Sequence, residues 1–166
     1  MLVCNDLRSG ELRALLARFG LELVEVAEGE PLPGSYWGEP EAGVVGHRVF
    51  VRVDTPVHSA LHETCHLLVK PEHERGLVHT DASDSIEEED ATCYLQIALA
   101  DQLPGVGRGR LMADMDAWGY SFRLGSARAW FEGDADDARQ WLGARGLLDA
   151  QGKAVFPGSH RDAGPA

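Results

Sequence analysis

The chain has 166 residues, 44% of them hydrophobic and 25% charged, with a formal net charge of −12. That length suits one globular domain with a core large enough to need no disulfide staples. The negative charge repels phosphate backbones and anionic lipid at long range, which argues against direct nucleic-acid and membrane partners. No apolar run of about 18 residues is present to span a bilayer, and Met1–Asn5 lack the basic and apolar regions of a signal peptide, so a cytoplasmic protein is expected.

Taken in order, Leu7, Leu12, Leu15, Leu16 and Phe19 repeat at helical spacing after Asp6 or Ser9 as cap, and Gly20 supplies a stop. Leu21 to Ala27 reads as a strand. Glu28 to Glu41 is broken by Gly29, Pro31, Pro33, Gly34, Gly38 and Pro40 and reads as loop, with room for one short strand. Val44-Val45, a turn at Gly46-His47, and the alternation of Val49, Val51 and Val53 with arginine and phenylalanine predict strands of a small sheet. The sheet leads straight into the next helix. It is therefore expected beneath that helix, with an edge to which a peptide could add as a strand.

That next helix carries the chemistry. Thr55 fits an N-cap, Pro56 the first helical position, and Pro71 the stop. Val57, Leu61, Thr64, Cys65 and Leu68 form an apolar flank, and His58, His62 and His66 a stripe beside it. Within it stands H-E-x-x-H, His62-Glu63-Thr64-Cys65-His66. Residues four apart share a helix face, so His62 and His66 can offer both imidazoles to one zinc ion. Glu63, adjacent to the pair, is placed to act as general base on a water in the open position, the arrangement of a metallopeptidase. His58 extends the stripe, but three residues at this spacing span about 12 Å and cannot share one ion.

Lys70 to Asp84, with His73, His79 and Asp81, reads as a loop skirting the site. Ser85 to Gln102 predicts a second long helix behind an acidic turn, Glu87-Glu88-Glu89-Asp90. Zinc needs a third protein ligand, and this turn is where to seek it. Glu88 shares a face with Ala91, Leu95 and Ala98, Glu87 with Ala91 and Tyr94, and Glu89 with the more polar Thr92, Cys93 and Gln96. On helix phase they rank Glu88, Glu87, Glu89. Ser85-x-x-Glu88 also has the form of a capping box. Further helices are expected around Arg110 to Trp118, Ser126 to Phe131 and Ala135 to Leu147, with Trp118, Trp130 and Trp141 as core. Residues 1–150 form the domain, and the Gly-, Pro- and polar-rich 151–166 reads as a disordered tail. Cys4, Cys65 and Cys93 lack disulfide or C-x-x-C spacing and read as small buried hydrophobes. Tyr36, His79, Tyr94 and Tyr120 all remain open as donors to an oxyanion.

From Leu21 to Pro104 the chain resembles the ImmA/IrrE family of zinc metallopeptidases, in which a short sheet and H-E-x-x-H precede a helix with E-x-x-A-(N or D)-x-F-A; here that helix reads Glu88-Glu89-Asp90-Ala91-Thr92-Cys93-Tyr94-Leu95. The resemblance implies an α+β, zincin-like fold: a small twisted sheet on the H-E-x-x-H helix, a second Glu-bearing helix, and a helical C-terminal part. It implies His62, His66 and Glu88 on zinc, Glu63 as base, and a protein or peptide substrate, often a repressor in regulation. Thr92 stands where the family has the Asn or Asp that orients a ligand histidine, which leaves Asp84 or Asp90 as candidate outer carboxylates. Leu95 replaces a small alanine, and the Leu-Leu-Met-Pro ending is missing. The alternative from another class is a regulatory interaction module that keeps zinc without turnover.

Overall fold

The computed structural model describes residues 1–35, 40–71, 74 and 85–157. Among them, six α-helices and a three-stranded mixed sheet make an α+β fold. Helix α1 (Glu11–Ala17) begins later than the leucine spacing predicts, because Gly10 takes φ 82° and leaves Leu7 outside it. Its buried Leu12, Leu15 and Leu16 pack toward strand β1 (Glu22–Glu25). Strand β2 (Gly43–Val45) turns through Gly46-His47 into β3 (Arg48–Val51), and the order is β1-β3-β2. β1 runs parallel to β3 with Leu23 opposite Val49, and β2 runs antiparallel with Val44 opposite Val49. These side chains are buried, while Glu22 and Arg48 pair at 3.2 Å on the solvent face, as a sheet with one wet face requires.

The outer edge of β2 is in contact with residues 33–35. Val44 N–H lies 3.4 Å from the Gly34 carbonyl, and a Cβ on Gly43 would fall 1.8 Å from the Pro33 oxygen. At that point only glycine permits the two backbones to pass. The β2 edge of the sheet therefore has chain of its own beside it.

Helix α2 (Val57–Val69) lies on β2 and β3, and Ser59 Oγ, accepting from Ala42 N–H at 2.9 Å, stitches it to the start of β2. It starts one residue later than the cap at Thr55 implies. The Thr55 hydroxyl is taken by the turn after β3, where it accepts from Arg52 N–H at 2.9 Å. Val57 N–H instead finds the Leu2 carbonyl at 3.0 Å, within a bridge that pairs Val3 with Pro56. Helix α3 (Ile86–Leu99) packs along α2, its end tightened into a 3-10 turn at Ala100–Gln102. Helices α4 (Gly107–Trp118), α5 (Ala127–Gly133) and α6 (Asp136–Ala144) complete the core around α3. Trp130 is buried as expected, but Trp118 is 41% exposed, because its indole N–H reaches out to Glu41 at 2.9 Å. Among the described residues no helix is long and apolar enough to cross a membrane.

Part of the segment assigned to a disordered tail is packed. Leu148 pairs with Ala154, and Val155 N–H bonds the Leu147 carbonyl at 2.9 Å. Phe156 is buried 4.7 Å from the Phe19 ring, with the Arg18 guanidinium 3.4 Å above it. The short apolar run Ala154-Val155-Phe156 anchors it; residues 158–166 lie outside the described residues. A chain ending at Ala150 should lose about 2 kcal/mol, the usual value of burying one phenylalanine. This would be read as a lower denaturant midpoint, and an unchanged midpoint would show that the contact contributes nothing.

Candidate metal centre

Helix α2 is buried on almost every side, with Val57, Ala60, Leu61, Cys65 and Leu67 at 0% exposure, so its histidines are held by the core rather than by a loop. His62 and His66 stand one turn apart with ring centroids 4.5 Å apart and planes at 86°. From the first turn of α3, Glu89 brings Oε1 to 3.2 Å from His62 Nε2 and Oε2 to 3.7 Å from His66 Nε2. One donor atom from each of the three residues lies within 4.8 Å of the others. Two imidazole nitrogens and a carboxylate oxygen at this separation fit a divalent transition ion, zinc included. The Glu89 side chain is 44% exposed, which leaves one side of the group open to water.

The acid that joins the histidines is thus Glu89, not Glu88. Glu88 points to the end of α2, its Oε2 3.1 Å from Lys70 Nζ, while its N–H is capped by Ser85 Oγ at 3.1 Å. Glu87 is exposed. Helix phase explains the difference. Glu89, Thr92, Cys93 and Gln96 share the face turned to α2, and Thr92 and Gln96 are fully buried there. The stripe is polar because it meets the histidines, not water.

Gln96 occupies the outer position that Asp84 or Asp90 was expected to fill. Its Oε1 accepts from His62 Nδ1 at 2.6 Å, and its Nε2 lies 3.0 Å from the His58 carbonyl and 3.5 Å from Tyr120 Oη. Asp90 sits where burial raises its carboxyl and Arg123 opposes that rise, and Asp84 lies outside the described residues. The signal for Gln96 in the sequence was its place two helical turns after Glu89, a lone amide in an otherwise apolar run. Of the candidate oxyanion donors, Tyr120 stands at the histidines, its ring edge-on to His62 at 5.6 Å. Tyr94 stacks on Phe131, and Tyr36 and His79 are outside the described residues. Glu63, following His62, is half-buried.

Burial disfavours a charged His62, but Tyr120, Cys93 and Glu89 around it outweigh that, so the ring keeps a proton well above the ordinary histidine range. A metal must displace that proton. Burial raises the thiols of Cys93 and Cys65 and keeps them neutral.

His58 is the opposite case. Burial, then the neighbouring His62, push it down to about 4, with Asp114 opposing. The unfolded chain binds this proton near pH 6.5 and the folded chain does not, so stability is lost as pH falls from about 6.5 toward 4. The metal-free protein should therefore lose about 3 kcal/mol more over that range than His58→Gln. Equal slopes in pH-dependent denaturant unfolding would show that His58 does not titrate this way.

Compared with protein-family profiles, curated proteins and solved structures, the chain matches none of them.

Proposed function

We propose that this chain is a zinc-dependent peptidase of the ImmA/IrrE type, with a zincin-like core, acting on a protein substrate. The observation that supports this best is the convergence of His62, His66 and Glu89, with an acid, Glu63, that follows His62 in the chain and is not one of the three donors. His62, His66 and Glu89 would hold the ion. When bound there, zinc supplies Lewis acidity, polarising a peptide carbonyl and making water easier to deprotonate. The Glu63 carboxylate takes the proton of the attacking water and passes it to the departing amine nitrogen. The half-exposed side of Glu89 gives substrate a way in, which a structural zinc closed by four ligands would not need.

The test is a map of new protein termini in the source cell, comparing wild type with Glu63→Gln. Cleavages present in the first and missing in the second support the peptidase. Identical terminus sets, with zinc retained by both proteins, point instead to a zinc-binding interaction module.

A further inference from the structure

We infer that Gln96 is a positioning residue that decides which nitrogen of His62 faces the metal, and that the backbone carbonyl of His58 dictates how Gln96 itself is turned. The inference rests on the metal-site reading above. A glutamine amide has one end that only donates and one that only accepts, so its orientation is fixed by what each end meets. The His58 carbonyl, 3.0 Å from one end, can only accept, so the NH2 group belongs there. Turned round, two oxygens would face each other in a place where Gln96 has no exposure to water.

The other end then follows. Oε1 lies 2.6 Å from His62 Nδ1 and can only accept, so Nδ1 must carry a proton. Nε2, 3.2 Å from Glu89, is left as the nitrogen whose lone pair can serve a cation. Tyr120 adds a second grip. Its Oη lies 3.5 Å from Gln96 Nε2 and 3.1 Å from His58 Nδ1, which holds the NH2 end against α2. Helix α3 thus supplies one ligand, Glu89, and two turns later the group that aims another.

The experiment uses the full chain with 15N-labelled histidine, loaded with zinc. In wild type the His62 ring should show a slowly exchanging proton on Nδ1 and none on Nε2. Gln96→Leu should weaken zinc binding roughly 10- to 100-fold in competition with a chromophoric chelator, the usual loss when an outer partner of a ligand is removed. Zinc on Nδ1 in wild type or full affinity in Gln96→Leu would each overturn the inference. If Gln96→Leu does not fold, the wild-type ring spectrum decides alone. If wild type takes up no zinc, the metal-site reading fails, and the metal-free ring still answers for Gln96: an Nδ1 proton exchanging as fast as in free histidine overturns the inference, and a protected one supports it.

Discussion

Replacing Glu89 with alanine should weaken zinc binding by at least about a hundredfold, since it removes one of three donors and should exceed the roughly 10- to 100-fold cost of losing an outer partner. Glu88→Ala, one residue away, should leave zinc affinity near the wild-type value and lower stability instead. Glu88 lies 3.1 Å from an ammonium whose side chain is only 8% exposed, so its loss removes a close countercharge in a mostly dry place. Breaking a fully buried pair costs about 3–5 kcal/mol; with Glu88 itself 20% exposed, about 2 kcal/mol is the better expectation. Chelator competition and denaturant unfolding of the metal-free proteins separate the two outcomes. Should Glu88→Ala lose the metal and Glu89→Ala keep it, the ligand set would be the one that the family resemblance implies.

Glu63→Gln should lower the rate of any cleavage assigned to this chain by at least about a hundredfold, within the range for losing a general base. Glutamine preserves the size of the side chain and most of its hydrogen bonding but cannot take a proton from water near neutral pH. Because Glu63 is not among the three donors, zinc content should stay at wild-type level. Both readings are needed. Lost cleavage with lost zinc would mean that Glu63 supports the site and would say nothing about its basicity. Lost cleavage with zinc retained isolates proton transfer, and unchanged cleavage would remove Glu63 from the mechanism.

The H-E-x-x-H helix was legible because its signals are local: histidines four apart, a proline at the start and another past the end. The hairpin β2–β3 was legible for the same reason, with Val49 and Val51 alternating after a Gly46-His47 turn. The acid that meets the histidines was harder. Along α3 the face bearing Ala91, Leu95 and Ala98 looks like the side that meets another helix, while Glu89, Thr92, Cys93 and Gln96 look like the side that meets water. A sequence records that a stripe is polar but not what makes it so, and a buried pair of histidines asks for the same residue types as solvent does. The error at Trp118 has a related source. Periodicity placed it on a helix but could not foresee that Glu41, 77 residues earlier, would draw its indole to the surface. Phe156 lies in a short apolar run, Ala154-Val155-Phe156-Pro157, too brief to show a period, so no pattern announced that it docks on Phe19.

Residues 2–5 bear on the order in which the chain acquires this centre. Leu2 lends its carbonyl to Val57 N–H and takes Asp114 Oδ2 for its own N–H at 3.0 Å, while Cys4 and Asn5 bond the carbonyls of Thr55 and Val53. The first turn of a helix has N–H groups with no partner of their own, and here one of them is met by a segment more than fifty residues away. Closing so long a loop costs entropy before the contacts repay it, and such contacts form late in folding. The helix holding His62 and His66 is thus finished at its leading end by a distant segment, which Asp114 in turn holds through the Leu2 N–H. A newly synthesised chain should gain its ion-holding geometry near the end of folding, unlike a small zinc domain in which the ion organises an otherwise unfolded peptide.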